Sequence, residues 1–326
     1  MHRCKRGFAW GAVISCPVWR AIIRACARSC ICALTVGWAV PAWAQAFESV
    51  GTRAQGMGGA FVAVADDATA TWWNPAGLAS GAYGDGLIEY GEQGDRGRVR
   101  GVAVAYPALG LSYYRLAISR IRPIISTATT APGREDREAE GIDLGQLSLS
   151  QFGATAGQSF GNHLVIASTL KLTRGVDDTK ADLDLGAMAR FGLVRVGLSV
   201  RNVREPTLGS GPNAVTLERQ ARVGLSMIGR SRGAINALAL AVDADVTTNE
   251  TASGQSRRVA GGFEAWTMKR RVAIRAGVGG AAVGLSKPSV SGGLSLALRT
   301  GVYVEGAITE TEGVRSSWAT DVRVTF

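Results

Sequence analysis

Beyond residue 32 the chain contains no cysteine. All five, Cys4, Cys16, Cys26, Cys30 and Cys32, precede that point. The remainder therefore has no disulfide framework, no thiolate metal site and no cysteine nucleophile. Histidine is almost as scarce: only His163 lies beyond residue 2. His/Cys zinc sites are excluded, most histidine catalysis would have to run through this one residue, and no cofactor is expected. Beyond residue 45 no stretch approaches the ~18 uninterrupted apolar residues of a spanning helix, which excludes a helical membrane protein. Charge of one sign is missing too, once the first 44 residues are set aside. The net charge is +10, but Arg3, Lys5, Arg6, Arg20, Arg24 and Arg28 sit before residue 45 with no acid among them, leaving 30 basic against 26 acidic residues spread along the rest. No basic patch remains to suggest nucleic acid as a partner.

What is present begins with an address. Residues 1–28 are basic, 29–40 form an apolar core, and Ala42-Trp43-Ala44 supplies small residues before Gln45. This order is that of a secretory signal peptide, 1–44, cleaved near Ala44. The alternative is an N-terminal anchor helix. No lipobox-like cysteine follows the core, so the expected mature chain starts near Gln45 or Phe47 and is exported.

The mature chain then alternates apolar and small or polar residues with persistence. In 193–201 the apolar set is Val194, Val196, Leu198 and Val200; in 219–227 it is Ala221, Val223, Leu225 and Met227; in 271–278 it is Val272, Ile274, Ala276 and Val278. Period two argues strands with one exposed face. Fourteen such segments follow residue 83, at roughly 84–91, 98–106, 109–121, 142–157, 163–174, 181–191, 193–203, 218–228, 234–247, 257–267, 271–280, 289–299, 301–310 and 315–326. Short gaps near Pro107-Ala108, Gly161-Asn162, Gly192, 230–233, 268–270 and Thr300 alternate with longer ones at 92–97, 122–141, 175–180, 204–217, 248–256, 281–288 and 311–314. Short turns at one end and long loops at the other describe an antiparallel transmembrane β-barrel over 83–326, in the outer membrane, with both chain ends in the periplasm. A soluble sandwich is the alternative; it calls for shorter strands and lacks a reason for the rhythm.

The last strand sharpens the reading. Trp318, Thr320, Val322, Val324 and Phe326 share one face. An alternating strand ending in phenylalanine resembles the signal by which barrel-assembly machinery recognises outer-membrane proteins. Charges collect on the other face of the strands: Asp182, Asp184, Arg195, Arg222, Asp243, Asp245, Glu264, Arg275, Glu305, Asp321 and Arg323. Charge facing lipid is costly, about 2–4 kcal/mol for Arg or Lys at mid-bilayer, so this face is expected to line the lumen, where acids and bases can pair.

Residues 45–82 do not alternate over a strand's length. Gly56, Gly58 and Gly59 permit positive φ and close packing. Asp66-Asp67 are placed to cap a short Ala-Thr helix, and Asn74-Pro75 to end it. A compact plug before the first strand follows. The run Gly56-Met57-Gly58-Gly59-Ala60, then Asp66-Asp67-Ala68, then Asn74-Pro75-Ala76-Gly77-Leu78 resembles the N-terminal hatch of FadL-type long-chain fatty acid transporters, and still more the PorV/PorQ branch of that superfamily. Arg201-Asn202-Val203, Glu218-Arg219-Gln220 with Val223-Gly224-Leu225, Asp243-Ala244-Asp245, Ala260-Gly261-Gly262-Phe263-Glu264 and Ile274-Arg275-Ala276-Gly277 resemble its barrel strands. The resemblance implies a monomeric barrel plugged by the hatch, moving a small hydrophobic ligand without energy input. PorV-type members instead imply an accessory or shuttle role with secretion-system proteins.

Each candidate residue has a structural and a functional reading. Asp66, Asp67, Asn74 and Pro75 either hold the plug as cap and turn or form a gate. Trp72 and Trp73 wedge the plug against the wall or touch an apolar ligand. Arg195, Arg222 and Arg275 pair with lumen acids or bind a carboxylate, which a guanidinium matches bidentately. His163 adjoins a turn and reads as surface. With no partner for it at a recognisable spacing, catalysis is not expected. In the third strand, Leu109, Leu111 and Tyr113 are in one phase and Tyr114, Leu116 and Ile118 in the other. If both sets faced lipid, a bulge would be needed at Tyr113-Tyr114; a phase slip by interfacial tyrosines is the alternative. By the family resemblance, a kink there implies a lateral window for a hydrophobic substrate.

Overall fold

The computed structural model describes residues 50–94, 97–123, 142–175, 178–209, 215–231, 233–251, 254–283 and 288–326. The leader expected over 1–44, the first residues of the segment 45–82 and most of the long loop expected at 122–141 lie outside them.

Fourteen strands form the barrel: β1 Asp85–Gln93, β2 Arg98–Tyr106, β3 Leu109–Pro123, β4 Ile142–Phe160, β5 Leu164–Arg174, β6 Thr179–Phe191, β7 Val194–Arg201, β8 Gln220–Arg230, β9 Ile235–Asp245, β10 Gly254–Thr267, β11 Val272–Val283, β12 Ser289–Arg299, β13 Val302–Thr311 and β14 Val314–Thr325. Each pairs antiparallel with its neighbours in sequence, and β1 pairs with β14 from Asp85↔Thr325 to Gln93↔Ser317, which closes the sheet. Closure matters because an open edge would leave backbone groups unpaired in hydrocarbon. Two short additions lie between strands: Thr207–Leu208 pairs with Val215–Thr216, and Asn249–Thr251 extends the pairing of β10.

The expected rhythm of connections holds in part. At one end the links are tight, such as Gly192-Leu193 and Thr300-Gly301, where Gly192 (φ 62°) and Gly301 (φ 81°) take the left-handed conformation that a two-residue hairpin demands. The other end carries the long links, 124–141, 202–219 and 246–253, but also four-residue links at 94–97 and 175–178, no longer than 231–234 and 268–271 at the first end, and the two-residue turn Glu312-Gly313. Strand faces also sort as read. Leu109, Leu170, Leu225, Val278 and Leu294 project outward and are exposed, and together with their neighbours they form an apolar outer band. All eleven charged residues assigned to the lumen are buried inside.

The chain end seals the first strand. Gly84 N donates to Phe326 O (2.9 Å) and Phe326 N donates to Gly84 O (3.0 Å). Trp318 packs on Tyr90 of β1 on the outer face, ring centroids 5.7 Å apart.

The bulge expected at Tyr113-Tyr114 is absent. Register runs unbroken from Arg100↔Arg115 to Tyr106↔Leu109 against β2, and from Leu109↔Ala156 to Pro123↔Ile142 against β4. Tyr113 is 45% exposed and Tyr114 only 1%. The two apolar sets are the two faces of one regular strand. The inner face is apolar because it packs against protein: the Tyr114 ring stands edge-on to Trp72 at 5.5 Å.

Candidate functional site

Residues 50–84 fold as three short pieces joined by tight turns. The first is α1 (Thr52–Gly56), the second α2 (Ala70–Trp73), and the third a 3₁₀ helix (Pro75–Ser80). Their helical ends are closed locally. Asp67 Oδ1 accepts from Thr69 N (2.9 Å) and Thr69 Oγ1, so it turns the chain just before α2, whose N-cap is Thr69 without a side-chain bond of its own. The expected cap thus comes from Asp67 alone, two residues before the N-cap position; Asp66 points to arginines instead. Asn74 ends α2 and caps the 3₁₀ helix, its Oδ1 accepting from Ala76 N, with Pro75 at the first helical position. Gly58 (φ 68°) and Gly59 (φ 80°) are left-handed, whereas Gly56 closes α1 without positive φ and is there for closeness.

These pieces are almost wholly buried, and their partners come from around the whole wall. Gly51 N donates to Glu89 of β1 (2.6 Å), and Ala68 N donates to Asp85 of the same strand (3.0 Å). Thr52 Oγ1 bonds Asp321 of β14. Phe61 N and Val62 N share Asp243 Oδ2 of β9 (2.7 and 2.8 Å). Arg258 of β10 donates to Gly58 O (2.7 Å), Ser226 of β8 to Ala63 O (3.0 Å), and Asn74 Nδ2 to Ala187 O of β6 (3.2 Å). The segment therefore lies inside the lumen.

The wall makes room for it with glycine. A Cβ on Gly277 of β11 would stand 2.2 Å from Gly58 N, on Gly186 of β6 2.3 Å from Asn74 Oδ1, on Gly262 of β10 2.5 Å from Met57 O, and on Gly197 of β7 2.7 Å from Val62 O. Gly56 and Gly293 of β12 face each other, each 3.1 Å from the other's would-be Cβ. Backbone thus meets backbone at several strands, a fit that side chains would prevent. Several of these glycines belong to the motifs that carry the family resemblance, as do Asp243, Glu264 and Arg275.

Arg53, which the sequence reading passed over, is the electrostatic hub. Its Nε and Nη2 each donate to Glu264 of β10 at 2.8 Å, and Nη1 reaches Asp66 (2.6 Å) and Asp67 (3.1 Å). Burial disfavours its charge, yet the Glu264 and Asp66 carboxylates beside it outweigh that and hold the guanidinium above its usual range. Arg53 is the only cation between residues 45 and 82, which was the available signal. The three arginines considered as carboxylate ligands are engaged by the protein itself. Arg195 lies 3.6 Å from Asp66, Arg222 2.6 Å from Asp245, and Arg275 2.7 Å from Glu264 and 3.3 Å from Glu305. Trp73 donates to Val50 O (2.8 Å), and Trp72 is sandwiched between Tyr114 and the Arg201 guanidinium, 3.8 Å from its ring centre. Trp72 thus packs on the wall, whereas the Trp73 bond lies within the segment and its wall contact is Arg222 of β8, 5.7 Å from the ring centre. His163 is exposed at its turn, Nδ1 3.0 Å from Arg190 O.

At the long-loop end a second buried cluster, in which the sequence reading names Asp182, Asp184 and Asn202 but not Lys171, ties down the link after β7. Lys171 of β5 contacts Asp182 (3.2 Å) and Asp184 (2.7 Å) of β6 and donates to Asn202 Oδ1 (2.8 Å). Asn202 N and Arg204 N in turn donate to Asp184 and Asp182. Below this link Leu208 packs on Leu149 and Leu217.

No protein-family model matches the chain, and no curated protein matches it either. Solved structures do. The barrel superposes on the toluene transporter TbuX of Ralstonia pickettii with a TM-score of 0.60 at 12% identity, over 86% of this chain and 99% of that one. The fold is shared. The CymD monoaromatic hydrocarbon channel gives 0.59 at 14% identity over 85% and 97% of the two chains. A Pseudomonas aeruginosa FadL homologue gives 0.54 at 9% identity over 87% and 100%. At these identities the likeness is one of fold alone, a closed antiparallel β-barrel.

Proposed function

We propose that this barrel is a passive conduit in the outer membrane for a small hydrophobic molecule, such as a long-chain fatty acid, and that residues 45–82 are its hatch. The observation that carries the reading is the seat of residues 50–84. The segment fills the lumen, touches the wall through glycine backbone, and apart from its peptide link to β1 is held there by hydrogen bonds and ion pairs. Such contacts can be exchanged for others as a molecule passes. Buried ion pairs support this balance, since desolvation offsets much of their Coulomb gain while removal of one partner is costly. Val99 of β2 and Leu116 and Tyr114 of β3 pack with Trp72 of α2 in one buried apolar cluster, which gives the hatch an apolar seat on this side of the wall. The structural likeness to a toluene transporter, a hydrocarbon channel and a FadL homologue supports the same class of cargo.

In this reading the leader 1–44 exports the chain, the Trp318 to Phe326 strand engages the barrel-assembly machinery, membrane lipid surrounds a monomer, the short turns face the periplasm, and no reaction is catalysed. A fluorescent fatty acid added to purified protein in detergent tests it: saturable binding that quenches tryptophan emission supports transport. A PorV/PorQ-type secretion role rests on the hatch motif; absence of binding together with co-purification of a secretion component favours it.

A further inference from the structure

One sector of the outer wall carries cations where lipid should be. On β2, Val99, Gly101, Ala103 and Ala105 face inward, which turns Arg98 and Arg100 outward above Val102, Val104 and Tyr106. On β3, exposed Arg115 follows Leu109, Leu111 and Tyr113; on β5, exposed Arg174 follows Leu170 and Leu172. Register aligns three of them, with Arg100 opposite Arg115, Arg115 opposite Ser150, and Ser150 opposite Arg174. At ~4.8 Å between strands this row is about 14 Å long. Arg98 stands one outward position above it.

Among the described residues the row itself holds no anion. Arg100 and Arg115 are like charges directly opposed, an arrangement that repels. Among the described residues none of the four arginines forms an ion pair; Glu92, opposite Arg98, is engaged by Arg315 at 3.4 Å. Exposed arginines also stand near this end on β10 (Arg257) and β14 (Arg315), each without an arginine opposite it in register. The outward positions near the same end of β6 to β9 are Ala181, Val200, Ala221 and Ala244. Below the row the outward face is apolar, with Val102, Val104 and Tyr106 on β2 and Leu164, Ile166, Leu170 and Leu172 on β5, so the guanidinium groups stand at the edge of an apolar wall.

We propose that the outer faces of β2 to β5 bind the phosphate groups of a phosphorylated glycolipid in the outer leaflet. Guanidinium groups meet phosphate oxygens bidentately and are the side chains best suited to them. Ser150, half-buried within the row, accepts from the Tyr113 hydroxyl of the neighbouring outward position at 3.4 Å, which leaves the Ser150 hydroxyl proton to donate to a remaining oxygen. The site rests on the outer-membrane placement proposed above and is independent of transport.

The test uses the full chain extracted from outer membranes in mild detergent, with bound lipid measured by native mass spectrometry. Wild type is expected to retain bisphosphorylated lipid A, and R100Q/R115Q/R174Q to retain at least tenfold less. R257Q, at an exposed arginine on β10, is expected to match wild type. Lipid A stripped of phosphate, added back, is expected to bind wild type no better than the triple variant. Heat-dependent gel mobility of each protein shows separately that the barrel is intact; if the triple variant fails to fold, R174Q alone is expected to lose several-fold. Equal retention by variant and wild type, equal binding of the dephosphorylated lipid, or capture of an acidic protein in place of lipid overturns the proposal.

Discussion

Arg53 and Glu264 meet fork to fork, two hydrogen bonds of 2.8 Å joining residues 211 apart in sequence. The pair pins α1 to β10 in the middle of the lumen. Removing the arginine leaves Glu264 with Arg275 alone. Breaking a buried pair in this way costs about 3–5 kcal/mol. The Arg53→Ala variant is expected to keep a heat-modifiable barrel while its N-terminal segment detaches, seen as conductance bursts in planar bilayers. Arg53→Lys restores the charge without the fork and falls between the two.

Glycine at the wall gives a sterically clean contrast. A Cβ on Gly277 meets Gly58 N and Met57 C at 2.2 Å, whereas one on Gly292 meets nothing within 4 Å. Gly277→Val is expected to expel the segment and expose it to limited proteolysis. Gly292→Val leaves the digestion pattern of wild type unchanged.

Because β3 pairs without interruption, deletion of Tyr114 slips the strand by one residue. Every later side chain then changes face, turning buried Leu116 outward and exposed Arg115 inward. The yield of heat-modifiable barrel is expected to fall sharply. A barrel formed at wild-type yield would mean that β3 absorbs the slip with a bulge.

Lys171 holds two buried aspartates and, through Asn202, the link after β7. Lys171→Met leaves Asp182 and Asp184 with the more distant Arg201 and with backbone donors only. Faster proteolysis between residues 202 and 209 on intact cells is the expected outcome, with the barrel retained.

The strands were legible because period two is a local property: β2 was read at 98–106 and is Arg98–Tyr106, and β12 at 289–299 is Ser289–Arg299. The lumen side of Asp243, Glu264, Arg275 and Asp321 was legible for the same reason, since charge avoids lipid. The seat of the N-terminal segment was not. Its contacts join residues far apart, as in Ser291 to Gly56, 235 residues away, and no pattern within either stretch names the other. Tyr113 and Tyr114 misled because the alternation rule takes the inner face to be wet. Where a folded segment replaces water, tyrosine and leucine belong inside as well as outside. Arg53 escaped notice because a single cation carries no spacing.

The most direct test of the conduit is the rate at which a fluorescent long-chain fatty acid enters cells with an intact outer membrane, with and without this protein. The account predicts saturable entry above the vector control, undiminished when the energy supply is poisoned. Entry equal to the control, with the folded barrel present in the outer membrane, contradicts it.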